Sequence, residues 1–229
     1  MSLYCYLKED RVLTPPKKNR LRIVLPIASF VLGLVFLTNA FWPIVVYELR
    51  SRHFTPAFLS PLEVKGDLLA TVDYSQPQSW FPTQTNLPPS PSKITHYTLS
   101  IPKLGIDRAV VQVGGKDLMK SLSQYPGTAL PGNLGNAVVF GHSVLPQFFN
   151  PKDYRTIFST LPTLNEGDEI LINFDGVTYT YQVEKMIEVL PEDVSVLQQY
   201  YDRERLSLIT CVPPGTYLRR LVVVGRLLY

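Results

Sequence analysis

The longest feature of the hydrophobic pattern is an unbroken apolar run from Ile23 to Tyr47, 25 residues without a formal charge. As a helix it measures roughly 37 Å, enough to cross a hydrocarbon core of about 30 Å with some tilt. Pro26 and Pro43 fall near its ends, where lost backbone bonds are most easily replaced. Trp42 and Tyr47 sit where an interfacial aromatic belt falls. The run is apolar on every side and about twice the usual helix length, which argues against a core helix of a soluble domain. It also argues against a cleaved leader, because Thr38-Asn39-Ala40 is a poor small-x-small site and the apolar run continues beyond it.

From Ile94 onward the period changes to that of strands. Tyr97–Ile101 alternates, and Arg108–Val113 follows after a Gly-containing break. Asn136–Phe140 is a short apolar run. Glu169–Phe174 and Val177–Val183 flank Asp175-Gly176, a two-residue hairpin signal. Leu206–Thr210 leads into Cys211, and Leu218–Leu228 reads as a final strand. Helical candidates are short: Lys116–Ser123, Ile157–Leu161 and Val194–Tyr201. Seven or eight short strands with few helices predict an all-β domain closed, or nearly closed, into a barrel.

Between the apolar run and the strands, residues 55–93 hold seven prolines among Ser, Thr and Gln, the composition of an extended spacer. Trp80-Phe81-Pro82 is out of place there, since large aromatics in a pure spacer have nothing to pack against. The segment is expected to fold back onto the domain, with Trp80 and Phe81 either cladding a barrel face or forming a lid over its groove. The expected organisation is thus a basic tail (1–22), a membrane helix (23–47), a Pro-rich linker (48–93) and a catalytic domain (94–229).

Charge sharpens this division. Residues 1–22 carry six Lys/Arg against Glu9 and Asp10, whereas residues 94–229 carry 12 basic and 13 acidic groups. The positive excess lies in the tail, which predicts a single-pass protein of the cell membrane with residues 1–22 cytoplasmic and the rest outside. The strand-rich domain has no basic excess, so nucleic acid is not an expected partner. Membrane lipid, met through residues 23–47, is.

The two cysteines, Cys5 and Cys211, lie on opposite sides of the apolar run and are not expected to pair. With three histidines and no CxxC, no metal site and no cofactor are expected. Cys211 ends an apolar strand and opens into Val212-Pro213-Pro214-Gly215, a position at a rim where active sites on rigid scaffolds tend to lie. His142 ends another strand, and Arg220 lies in the last one. Singly, each fits a structural role: a half-buried thiol, a polar edge residue, a solvent-facing charge.

Together they resemble a family. Leu206-Ser-Leu-Ile-Thr-Cys211, followed by Arg219-Arg220-Leu221-Val222-Val223, is similar to the sortase signature of an apolar strand ending in Thr-Cys, a proline-containing loop and an arginine at the next strand's start. Tyr125–Gly132 and Gly135–His142 resemble the sortase approach to its histidine. Ile101–Ile106 is similar to the first strands, and Glu166–Ile170 to the mid-domain hairpin. The resemblance spans residues 97–228 in the right order.

It implies an eight-stranded sortase-type β-barrel with short helices behind an N-terminal transmembrane helix. It implies Cys211 as nucleophile, His142 as proton carrier, Arg220 facing the oxyanion and Thr210 as a substrate-side neighbour. Arg220 is preferred over Arg219 because it directly precedes the Leu-Val-Val run, and alternation points Arg219 to the other face. The implied partners are secreted proteins bearing a C-terminal LPxTG-like sorting motif, and an amine acceptor of the envelope or of a pilin-like subunit. Rival readings are a catalytically silent sortase-like scaffold and an L,D-transpeptidase-type wall enzyme. Retention of all three reactive groups argues against the first, and the lack of a histidine near Cys211 against the second.

Overall fold

The computed structural model describes residues 20–51, 55–56, 75–81 and 93–229. The basic tail up to residue 19, with Cys5, and most of the Pro-rich linker (52–54, 57–74 and 82–92) lie outside the described residues. The chain divides into two compact units, one ending at Trp42 and the other beginning at Pro43.

Among the described residues a single α-helix, α1, runs from Arg20 to Ser51, beyond both ends of the apolar run. In the first unit, residues 24–42 are exposed throughout. Val24–Leu49 is long and apolar enough to cross a membrane. Its two internal prolines are accommodated, as the missing N–H of a proline is tolerated where neighbouring backbone adjusts.

The second unit is built on strands β1 (Thr55–Pro56), β2 (His96–Ile101), β3 (Ile106–Val113), β4 (Leu122–Gln124), β5 (Gly135–Phe140), β6 (Glu169–Phe174), β7 (Val177–Val189), β8 (Glu204–Val212) and β9 (Arg219–Leu227). Pairing runs β7-β6-β2-β3-β4-β5-β8-β9, and β9 returns to pair antiparallel with β7. Eight strands therefore close into a barrel, and the two-residue β1 pairs parallel with β7. Closure leaves the barrel strands no unpaired edge. The Asp175-Gly176 turn joins β6 to β7 as its sequence predicts, with both residues at positive φ, the type I′ requirement.

Two parts of the pattern are realised differently. Lys116–Ser123, a helical candidate, is turns leading into β4; the three-residue strand is too short to show a period. Ile157–Leu161 and Val194–Tyr201 reduce to turns and to the 3₁₀ segments Leu161–Thr163 and Val194–Leu197. Short segments such as these take their shape from what they pack on rather than from propensity.

The apolar residues form two layers. The barrel interior holds Leu99, Val111, Ala137, Val139, Ile172, Leu206, Leu208, Leu221 and Val223. A second cluster lies on the outer face of β5, β8 and β9, made of Val138, Phe140, Ile209, Cys211 and Val222 under Trp80 and Phe81. All six residues of β5 are buried, because this part of the sheet is covered on both faces. A strand buried on both faces reads as continuous rather than alternating, which is why Asn136–Phe140 shows no period of two.

Candidate active site

Cys211 and Arg220 stand opposite each other on paired strands β8 and β9. Directly opposed residues of an antiparallel pair share a face, with Cβ atoms about 5 Å apart. Both belong to the outer face, since Cys211 alternates with the inward Val212 and Arg220 with the inward Leu221. Thr210 alternates the other way. It is fully buried, and its hydroxyl donates to the Gly141 carbonyl at 2.8 Å.

His142 follows β5 by one residue, and the chain around it is sewn to the cysteine strand from both sides. Thr210 reaches Gly141, just before the histidine, and the Ser143 hydroxyl just after it donates to the Cys211 carbonyl at 2.6 Å. The N–H of Gly141 donates to the Ile209 carbonyl, and the N–H of Phe158 to the His142 carbonyl. Position 141 admits only glycine, because a Cβ there would lie 2.4 Å from the Phe158 ring and 2.7 Å from the Leu122 side chain. The histidine backbone is thereby fixed against the cysteine strand by packing and by hydrogen bonds together.

Arg220 is 1% exposed. Its Nη1 donates to the carbonyls of Tyr217 (3.0 Å) and Arg219 (3.3 Å), and its Nη2 to the carbonyl of Trp80 (3.3 Å). Its Cζ lies 5.4 Å from the Trp80 ring centroid, within cation–π range. Arg219 points elsewhere, pairing with Glu188 at 3.1 Å and with Glu48. The adjacent arginines thus separate as strand alternation predicts.

Trp80 closes the face. It ends the short 3₁₀ segment Pro77–Trp80 and is completely buried. Its ring meets Phe140 edge-on at 5.4 Å and the His142 imidazole at 5.8 Å. Phe81 packs beside it, also edge-on to Phe140, at 6.0 Å. One indole thus touches His142 and Arg220 within the cluster that contains Cys211. The sequence marks Trp80 and Phe81 as aromatics needing a partner, but only the structure identifies it.

The thiol pays for this cover. Burial pushes the Cys211 thiol up to about 11, against a smaller lowering by the Arg220 charge. At neutral pH the group is a neutral thiol and a poor nucleophile. Uncovered, the arrangement offers a sulfur, a guanidinium fork across from it and an imidazole at the end of the adjoining strand. That set suits attack on a carbonyl with stabilisation of the resulting oxyanion. Among the described residues no group of three or more His, Cys, Asp or Glu is placed to hold a metal ion. Sequence reasoning overlooked Gly141 and Ser143, although a glycine and a small hydroxyl flanking a strand-end histidine are a readable sign of a tightly held turn.

A family model described as Sortase domain matches residues 99–228. The chain is 26% identical over 132 residues to Sortase D of Bacillus subtilis (strain 168), covering 56% of this chain and 61% of that protein. It is 27% identical over 130 residues to Sortase A of Bacillus anthracis, covering 56% and 58%. The chain thus spans about three-fifths of the length of the curated relatives it matches. Among solved structures it resembles sortase C-1 from Actinomyces oris, with a TM-score of 0.52, 27% identity and coverage of 60% of this chain and 76% of that one.

Proposed function

The chain belongs to the sortase family, and from that premise we propose that it is a membrane-anchored cysteine transpeptidase acting through Cys211, His142 and Arg220. The observation that carries the reading is the shared face: Cys211 and Arg220 are cross-strand partners, and Trp80 spans from that arginine to His142.

In the proposed reaction the Cys211 thiolate attacks the carbonyl of a peptide bond in an LPxTG-like sorting motif of a secreted protein. Arg220 donates to the oxyanion that forms, an interaction worth about 3 kcal/mol. Protonated His142 delivers its proton to the leaving amine as the C–N bond breaks. The acyl group is then held as a thioester on Cys211. An amine of the envelope, or of another protein subunit, attacks it, neutral His142 takes up the amine proton, and the sulfur leaves as the Cys211 thiolate, which restores the starting thiolate and protonated His142. Water in place of the amine gives hydrolysis. No cofactor enters the scheme. Thr210, buried and bonded to Gly141, serves here by positioning the histidine turn rather than by touching substrate.

Trp80 and Phe81 act in this reading as a lid. Their docked position accounts for the raised thiol and for the Arg220 Nη2 bond to the Trp80 carbonyl. Burying each aromatic is worth about 2–3 kcal/mol, so the lid leaves when a donor peptide competes for the same apolar face. The charge asymmetry around residues 23–47 supports a cytoplasmic tail, an extracytoplasmic linker over 48–93 and a catalytic domain over 94–229.

The test is to trap the acyl-enzyme. A library of LPxTG-type peptides is incubated with the full chain, and intact mass reports a thioester on Cys211 that hydroxylamine releases. A chain that never acylates, or acylates equally as Cys211→Ala, overturns the reading.

A further inference from the structure

Among residues 24–49 of α1, Tyr47 alone is buried, and it is buried against the barrel. It joins the interior cluster, and its hydroxyl donates to the Glu188 carboxylate at 2.5 Å. Glu188, next to last in β7, also pairs with Arg219 at 3.1 Å, and Arg219 pairs with Glu48. The four side chains form a clamp that starts and ends on adjacent residues of the helix. The backbone supplies a second hold. α1 ends at Ser51, and at Thr55 and Pro56 the chain pairs with Ile187 and Glu188. Both holds therefore fall on the same stretch of β7, and Pro43–Ser51 and the barrel belong to one compact unit.

The stretch long and apolar enough to cross a membrane ends at Leu49. Ionised side chains are costly in hydrocarbon, so Glu48, with Arg219 and Glu188 around it, stands at the membrane surface. Arg219 is the first residue of β9 and pairs in register with Val212, the last of β8. The end of the barrel at that surface is thus the end that carries Cys211, one residue back along β8. The loop joining these two strand ends holds two large apolar side chains outward. Tyr217 is 52% exposed and Leu218 67%. Slackness does not account for it, because the loop is fastened. The Thr216 N–H and hydroxyl donate to the Pro213 carbonyl at 2.9 and 2.7 Å, and the Tyr217 carbonyl accepts from Arg220 Nη1 at 3.0 Å. An adjacent tyrosine and leucine, placed directly before the residue that touches Glu48, suit the boundary between headgroups and acyl chains.

We propose that Tyr217 and Leu218 form a membrane-contact edge, held at the bilayer surface by the clamp of Tyr47, Glu188, Arg219 and Glu48. Lipid is the assigned occupant because the clamp ties this edge to the point where the apolar helix ends. This rests on the reading of α1 as a membrane span and does not depend on the reaction. The contact is apolar in kind, since Arg219 is already paired with two carboxylates, so neutral lipid suffices. Its consequence is that Cys211 works at the bilayer surface rather than at a distance from it.

The test uses the full chain with Cys5→Ser and Cys211→Ser, reconstituted in phosphatidylcholine nanodiscs. A single cysteine, introduced as Leu218→Cys or Val177→Cys, carries the fluorophore NBD. Val177 is 51% exposed and opens β7, about 35 Å along the strand from Glu188. Phosphatidylcholine spin-labelled near the headgroup end of its acyl chain is expected to quench the label at 218 by about twofold or more and to leave the label at 177 unchanged. Both positions carry the same fluorophore, so its own affinity for lipid does not separate them. Equal quenching at the two positions overturns the proposal. So does a label at 218 that is shielded from aqueous iodide yet not quenched by the lipid, which assigns the edge to a protein partner or a second copy.

The clamp is tested in the same background. Tyr47→Ala is expected to bring quenching at 218 down to the level at 177, while amide protection of β5, β8 and β9 is retained. Quenching that survives Tyr47→Ala overturns the clamp. Where that variant also loosens the barrel, Glu48→Arg decides, because it opposes Arg219 from an exposed position and is expected to lower the quenching likewise. Extraction of the full chain from vesicles by alkaline carbonate marks failure of the membrane-span reading, and the proposal falls with it. A chain that resists extraction but shows an unquenched label at 218 sinks the proposal alone.

Discussion

The inner and outer faces of β5, β8 and β9 are built from alternating residues of the same strands. The inner face presents Ala137, Val139, Leu206, Leu208, Leu221 and Val223 to a closed interior. The outer face presents Val138, Phe140, Ile209 and Val222, equally apolar, but sets Cys211 and Arg220 among them. The interior is sealed by the barrel itself. The outer face is covered by segments that are not part of these three strands: Trp80 and Phe81, together with Leu118, Tyr125 and Leu197. Apolar burial therefore has two consequences: inside it stabilises, and outside it also raises the pKa of the Cys211 thiol. Neighbouring residues of one strand consequently carry different liabilities, and substitution separates them.

The largest separation is expected at Arg220 and Leu221, adjacent in β9 and on opposite faces. Arg220→Ala is expected to lower kcat/KM for peptide cleavage by about two to three orders of magnitude, the cost of an oxyanion donor. Arg220→Lys is expected to recover little, since a point charge does not reproduce the guanidinium fork. Leu221→Ala should do the reverse, costing about 2–5 kcal/mol of stability while activity per folded molecule is retained. Denaturant unfolding and steady-state kinetics on the two variants decide this. If both lose stability and activity alike, the two faces are one unit and the distinction fails.

The next effect concerns the cover. Trp80→Ala is expected to accelerate alkylation of Cys211 by iodoacetamide at pH 7. The thiol is pushed up to about 11 by burial from an ordinary 9.0, and each unit of pKa is a tenfold change in thiolate at neutral pH. Uncovering moves the pKa downward and the thiolate fraction upward, by up to about a hundredfold. The alkylation rate followed against pH should show its midpoint shift toward lower pH in the variant. A lowered unfolding midpoint with an unshifted profile would make Trp80 structural cladding instead of a lid.

Legibility in the sequence follows the same division. β2, β5, β6, β8 and β9 are found to within two residues of their ends, because the inner face imposes a period, or both faces an apolar run, and the turn residues punctuate it. Cys211, His142 and Arg220 stand at strand ends or starts, where a change of pattern exposes them. What the sequence hides is contact between distant segments. Nothing local in Gln-Ser-Trp-Phe announces that Trp80 meets His142 and Arg220, and nothing near Gln199 announces that it bonds to Ala129 and Asn136. β4 escapes notice because three residues, all buried, have no period to show. Side chains that serve backbone groups far along the chain obey no spacing rule, so only folding reveals them.

The smallest effect is expected at Arg219, and it tests the register on which the comparison of faces depends. Arg219 and Arg220 differ by one position, and a slip of one residue would exchange their faces. In the register β9 adopts, Cys211 pairs with Arg220 and Val212 with Arg219. Arg219 is then left to bridge Glu188 and Glu48. Its side chain is 31% exposed and that of Glu48 is 50% exposed, so solvent screens the pair and its contribution is expected to be under about 1 kcal/mol. Arg219→Ala should therefore leave kcat/KM within about twofold of wild type and shift the unfolding midpoint only slightly. Arg219→Lys should restore even that, because a bridge between carboxylates needs charge more than a planar fork. An Arg219→Ala variant that loses orders of magnitude in rate, beside an Arg220→Ala variant that does not, would put Arg219 on the face of Cys211. The proposed oxyanion donor would then be the other arginine.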